Sequence, residues 1–154
     1  MIDTPQITQT TAQLTATIHL TIPRNEIRSA MGPGISEVVA AAQAQGIGPN
    51  GPWFTHHLKM DPAVFDFEIC VPVTAAVSPV GRVTPGEVPV VRVARTVYQG
   101  PYEGLGQAWG EFQQWIAANG HVPCRDLYEC YLAGPESTVN PTEYRTELNQ
   151  PLSD

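Results

Sequence analysis

A glutamate sits in the middle of an apolar run, Leu127-Tyr128-Glu129-Cys130-Tyr131-Leu132. Carboxylates are rare in such surroundings unless something pairs with them. The run reads as a strand, and strand alternation puts Glu129 and Tyr131 on one face, with Tyr128, Cys130 and Leu132 on the other. Two readings stand. Glu129 is an anionic anchor in an aromatic pocket, suited to a cationic or proton-donating ligand, or its face is solvated and it points outward. Glu147 lies in another strand-like run, with Arg145 and Asn149 on its face, and Glu68 lies in a third, with Asp66 and Cys70. These two carboxylates either share a groove or are structural, bonded to backbone amides or an arginine. Trp109, Trp53 and His57 complete the set of candidate ligand-binding residues. Trp109 belongs to an apolar helix face and is either core or a pocket wall. Trp53 opens a strand and either closes a cleft or caps the core. Tyr98 and Tyr102 flank a Gly-Pro turn.

Other chemistries find little support. His56 and His57 meet no second histidine cluster, and His19 and His121 are isolated. Neither HExxH nor paired CxxC occurs, so no metal and no cofactor are expected. Gly-x-Ser-x-Gly elbows, P-loops and GxGxxG turns are missing too. Cys70, Cys124 and Cys130 are odd in number and lack CxxC spacing, which suits reduced thiols in a cytoplasmic protein. Cys124 and Cys130 are not placed at a helix N-terminus, where a thiolate would be stabilised.

The elements that must hold these residues can be read from periodicity. Ile7 to Ile22 alternates apolar and polar residues and reads as one long strand. Ile27, Met31, Ile35, Val38, Val39 and Ala42 have helical spacing up to the Gly46 stop, with Pro33 inside as a cap or a kink. Trp53–Lys59 and Phe65–Val73 read as strands, residues 74–87 as a connection, and Val88–Val97 as a strand. Tyr102–Asn119 is a second helix, with Leu105, Ala108, Trp109, Phe112, Trp115 and Ile116 on its apolar face and Gly120 as its stop. Leu127–Leu132 and Glu143–Gln150 are the last strands.

This is strand–helix–strand–strand, twice. Sliding the sequence by 74 places Gly46 on Gly120, Pro49 on Pro123 and Leu58 on Leu132; sliding by 79 sets Phe67-Glu68-Ile69 on Thr146-Glu147-Leu148 and Pro72 on Pro151. Thr55 and His57 then correspond to Glu129 and Tyr131. The expectation is a single α+β domain over residues 1–154, built from two repeats of about 1–74 and 88–152. A mainly antiparallel sheet would carry two helices, with a central ligand groove at the seam between repeats.

Composition narrows the partners. The chain has 154 residues and a formal net charge of −7, from 15 acidic against 8 basic side chains. That balance argues against direct nucleic-acid binding, which needs a basic face. No apolar run is long enough to span a membrane, and the N-terminal residues do not form a secretory signal.

Several segments together resemble a known family. GPYEGLGQAW (Gly100 to Trp109), the Asn119-Gly120 stop, YECYLAGPE (Tyr128 to Glu136) and PTEYRTELNQPL (Pro141 to Leu152) are similar to the GyrI-like small-molecule-binding domain, also called the AraC-type effector-binding domain. The first half matches through the helix ending in QG, the GPWF strand start and FDFEICVPV. The resemblance implies a pseudo-twofold pair of modules around a ligand groove. It implies that Glu129 holds the position of a glutamate that contacts lipophilic cations in multidrug-sensing members, and that Glu147 holds a second acidic position. It also implies two alternatives, since the family includes hydrolases that open cyclopropanes of DNA-alkylating natural products and proteins that inhibit DNA gyrase. In a hydrolase, Glu129 and Tyr131 would be the catalytic pair. The leading expectation is a stand-alone module that senses or sequesters a hydrophobic or cationic compound. DNA gyrase or a transcription regulator is a possible protein partner. Residues 1–23 form a strand and not a helix-turn-helix, so direct control of transcription is not expected.

Overall fold

A computed structural model describes residues 2–135 and 137–153. Glu136, the last residue of the YECYLAGPE segment, lies outside the described residues. The fold is α+β, with two α-helices and eight strands among those residues: β1 (Gln6–Gln9), β2 (Gln13–Pro23), α1 (Ile27–Ala44), β3 (Phe54–Met60), β4 (Val64–Pro72), β5 (Thr84–Val88), β6 (Arg92–Gln99), α2 (Leu105–Ala118), β7 (Leu127–Ala133) and β8 (Arg145–Pro151). The chain divides into two compact units, Thr11–Val90 and Met1–Thr10 with Val91–Asp154.

In the first unit the strands run in the order β5-β2-β4-β3, and all neighbours are antiparallel. Ala16, Ile18, Phe67, Ile69 and Val71 form the sheet side of its core, and Val38 and Ala42 of α1 pack over them. In the second unit the order is β1-β6-β8-β7, again antiparallel throughout. Ala94, Tyr98 and Leu148 face Ala108, Phe112 and Ile116 of α2. Alternation explains both cores, since Ala16 and Ile18 of β2, Phe67, Ile69 and Val71 of β4, Ala94 and Tyr98 of β6 and Leu148 of β8 fall on alternate positions of their strands and pack under a helix.

The long strand expected over residues 7–22 is two strands. Thr10 carries the break: its amide bonds the Val91 carbonyl at 2.9 Å, and its Oγ1 accepts from the Val91 amide at 2.9 Å. β1 pairs with β6 and β2 with β4 and β5, so residues 10–12 connect strands of different units. The expected connection 74–87 contains a strand for the matching reason. β5 pairs with β2 in spite of Pro85 and Gly86, because an edge strand needs only one of its two hydrogen-bonding sides. Each unit's first long strand is thus flanked by a short edge strand, and the short strand precedes the first long strand of the other unit.

The two helices end alike. Gly46 (φ 68°) and Gly120 (φ 76°) adopt the left-handed turn. The next amides, of Ile47 and His121, reach back to the carbonyls of Ala42 and Ile116, each at 3.1 Å. Glycine takes this conformation without a Cβ clash and thereby satisfies helix-end carbonyls. α1 continues through Pro33, giving up the one backbone bond proline cannot donate.

The registers match residue for residue. Thr55 faces Ile69 and His57 faces Phe67, as Glu129 faces Leu148 and Tyr131 faces Thr146. Both hairpins then slip by one residue, between His57 and Lys59 and between Tyr131 and Ala133. The slipped residues are Leu58 and Leu132, the pair aligned by the 74-residue shift. A bulge of this kind re-aims the side chains that follow it.

Candidate functional site

Residues directly opposite on paired strands share a face. Glu129 therefore shares the helix-facing side of the second unit with Leu148 and Tyr131. α2 presents Trp109 to it by helical spacing. The indole Nε1–H donates to Glu129 Oε2 at 2.7 Å, and the Tyr131 hydroxyl donates to Glu129 Oε1 at 2.7 Å. Each carboxylate oxygen accepts from an aromatic side chain. Two neutral donors orient the group without cancelling its charge.

Further rings extend the cluster. Tyr102 lies edge-on to Tyr131, with centroids 6.0 Å apart, and against Tyr144 at 4.9 Å. Trp109 packs on Phe112 at 5.6 Å. Tyr131 is buried, while Glu129, Trp109, Tyr102 and Tyr144 are half-buried. The structure thus brings together Glu129, Tyr131 and Trp109 and adds Tyr102 and Tyr144. The sequence reading leaves Tyr102 without a role and does not single out Tyr144; the signal is their place in GPYEGLGQAW and PTEYRTELNQPL.

The remaining candidates lie elsewhere. Glu147 faces Cys130 in the register, on the side of the sheet away from Glu129. Asn149 Nδ2 donates to Glu147 Oε1 at 3.0 Å, Arg95 Nε donates to Asn149 Oδ1 at 2.5 Å, and the Arg95–Glu147 ion pair spans 3.6 Å. Glu68 likewise lies on the side away from α1, with His56 Nδ1 at 3.0 Å from its Oε1. A pocket containing Glu129 therefore does not include Glu147, because the sheet of that unit stands between them. Trp53 packs against the apolar core of the first unit. His57 faces α1, stacked on Phe67 at 5.4 Å and edge-on to Phe65 at 5.8 Å, with its Nε2 3.2 Å from Thr55 Oγ1.

The thiols are poorly suited to nucleophilic work. Burial pushes Cys70 up to about 12 and Cys130 up to about 11, aided by the charges of Glu68 and Glu147 respectively. Burial and the nearby Asp126 also raise Cys124. All three are free. Among the described residues no group of three or more histidines, cysteines and carboxylates could hold a metal ion. Among the described residues no helix is long and apolar enough to cross a membrane.

Comparison with known proteins fixes the family. Residues 3–153 match the model of the GyrI-like small molecule binding domain. The chain belongs to the GyrI-like family. No curated protein sequence matches it. This GyrI-like domain is similar in fold to the EcmrR C-terminal domain, with a TM-score of 0.86 at 19% identity over 98% of each chain. The similarity to EcmrR in its DNA complex has a TM-score of 0.82 at 17% identity; it covers 97% of this chain but only 57% of EcmrR. SAV2435 bound to tetraphenylphosphonium is similar with a TM-score of 0.69 at 15% identity, over 98% of this chain and 94% of that one.

Proposed function

We propose that this GyrI-like domain is a binding module that holds a hydrophobic or cationic small molecule against Glu129, to sense or sequester it. The observation that carries this reading is the half-buried carboxylate bonded on both oxygens by Trp109 and Tyr131, with Tyr102 beside them. A charge held among aromatic faces attracts cations by two routes, direct Coulomb attraction and the negative face of the rings. Rings impose little directional demand, so such a site selects for charge and tolerates varied shape. The family's description as a small-molecule-binding domain supports the reading, and so does the tetraphenylphosphonium carried by SAV2435.

The test is Glu129→Gln, which keeps the shape and removes the charge. Interactions with a charged group are worth roughly 1.5–3 kcal/mol, so affinity for tetraphenylphosphonium in calorimetric titration falls about tenfold to a hundredfold. A neutral tetraaryl compound of the same shape binds both forms alike. Equal binding of the cation by the variant would rule Glu129 out as the anchor.

A second reading, a hydrolase of electrophilic natural products, draws on the Tyr131–Glu129 hydrogen bond. The carboxylate would take a proton from water as the water oxygen bonds to a cyclopropane carbon; the electron pair of the ring bond that breaks would pass to a conjugated oxygen of the compound, which the phenol protonates. The fold is also similar to a hydrolase from Listeria innocua, with a TM-score of 0.64 at 13% identity over 97% of this chain and 91% of that one. Hydrated product formed from a cyclopropane alkylator at substoichiometric protein favours this reading over binding alone.

A further inference from the structure

The registers of β6, β8 and β7 lay side chains in rows across the helix-facing side of the second unit. Tyr98, Thr146 and Tyr131 form one row, and Thr96, Leu148 and Glu129 form the next. Thr146 stands at the centre of the first row, 0% exposed. Its Oγ1 is buried without a hydrogen-bond partner among the described residues. Both neighbours in the row are bonded: Tyr98 donates to the Pro101 carbonyl at 2.8 Å and Tyr131 to Glu129 at 2.7 Å. Buried polar side chains are nearly always hydrogen-bonded, and an exception calls for a reason.

The repeat supplies the contrast. The position of Thr146 corresponds to Phe67 in the first unit, which is also fully buried and fills its place with a ring stacked on His57. Where one unit has a large apolar ring, the other has a small hydroxyl, next to the Glu129–Tyr131 pair. A position serving only to fill a core gains nothing from that exchange: it loses buried apolar area and leaves a hydroxyl unpaired.

We propose that Thr146 determines the polarity of what the Glu129 site accepts: its hydroxyl pairs with a hydrogen-bonding group of the bound compound, seated between Tyr98 and Tyr131. This rests on the binding reading above and adds the class of ligand. Thr146 lies opposite Tyr131, and Glu129 is two residues along β7. Diagonal neighbours of this kind are about 7–8 Å apart on a sheet. The favoured ligand is therefore an aromatic cation with a hydroxyl or carbonyl about one ring length from its charge. The hydroxyl of Thr146 is covered, so the compound reaches it by turning the Tyr131 ring aside; the Tyr131–Glu129 bond is exchanged for the cation at Glu129 Oε1, while Trp109 still holds Oε2.

The test uses two matched probes, tetraphenylphosphonium and (4-hydroxyphenyl)triphenylphosphonium, titrated by calorimetry into wild type, Thr146→Val and Thr146→Ser. Wild type binds the hydroxylated probe about three- to tenfold more tightly, as one added neutral hydrogen bond allows. Thr146→Val removes that preference, so that the two probes bind it alike; Thr146→Ser retains the preference. Equal affinity of wild type for the two probes, or a preference that survives in Thr146→Val, overturns the role of Thr146 and leaves the binding reading standing. Failure of both probes to bind wild type overturns the two together. If Thr146→Val does not fold, Thr146→Ala takes its place with the same expected loss of preference.

Discussion

The two units share one architecture and use the same positions differently. In the first, Thr55, His57, Phe65 and Phe67 close over one another beneath α1, and the Arg24 guanidinium lies 4.4 Å from the centre of the Phe65 ring. The matching positions in the second are Glu129, Tyr131, Tyr144 and Thr146, and Tyr102 stands where Arg24 does. The first unit therefore carries its own cation over its own aromatic ring. The second has the rings and a carboxylate in those places, and no basic residue among these five. The repeat gives two equivalent sets of positions, and side-chain choice makes one set a packed aromatic cluster and the other the candidate site. The backs of the sheets differ in the same way: Thr17 Oγ1 bonds Cys70 Sγ at 3.7 Å in one unit, while Arg95 and Asn149 hold the corresponding places in the other.

The largest effect is expected from forcing the first unit to copy the second. Thr55→Glu puts a carboxylate at a position 1% exposed. The helix positions that correspond to Trp109 are Met31 or Ile35, and neither side chain can donate a hydrogen bond. Burying a charge without matched donors costs about 3–5 kcal/mol, measured as a loss in urea unfolding. A variant as stable as wild type would show that the donors from α2 do not explain the difference between the units.

A smaller effect comes from weakening the second unit's own device. Trp109→Phe keeps a ring on α2 and deletes the indole donor to Glu129. A stability loss of about 1–2 kcal/mol follows, because a half-buried carboxylate exchanges a fixed donor for water. The substitution leaves Tyr131 as the donor on Oε1, so the same variant reports whether both donors are needed for cation affinity.

How much of this could be read beforehand depends on the kind of signal. The 74- and 79-residue shifts matched pairs of residues that occupy equal places in the two hairpins, down to the bulged Leu58 and Leu132, because alternation, glycine stops and strand ends follow local rules. The sharing of a face by Glu129 and Tyr131 was legible for the same reason. The role of Trp109 as donor to Glu129 was not, since it depends on how α2 is rotated over the sheet. The edge strands are not legible locally because pairing at an edge is set by distant partners: alternation runs β1 on into β2, and the prolines of 74–87 conceal β5. The sequence shows Thr146 only as the repeat partner of Phe67; that its hydroxyl is buried and unpaired among the described residues depends on the packing around it.

The smallest effect concerns the backs of the sheets and appears only in alkali. Cys70 is raised from 9.0 to about 12. The folded state keeps this thiol protonated while the unfolded chain ionises near its ordinary value. Its contribution is therefore fully present below about pH 9 and is lost as pH rises from there toward 12. At pH 10 one thiol costs about 1 kcal/mol relative to pH 8. Cys70→Ala should shrink the difference in melting temperature between those two pH values, whatever it does to stability at either. An unchanged difference would assign the alkaline loss elsewhere, with Cys130 of the other unit the next thiol to replace.

The placing of the edge strands also imposes an order on biosynthesis. Of the described strands a ribosome makes β1 first, yet Gln6 must wait for Arg95, 89 residues later, to find its partner. β2, α1, β3, β4 and β5 are all synthesised in the interval and include every strand of the first unit. The entropy cost of closing so long a loop grows only slowly with its length, but contacts this distant in sequence form late in folding. The closed core can be complete while the nascent chain is still being extended, and the unit that bears Glu129 is finished last, when the earliest strand made is finally docked.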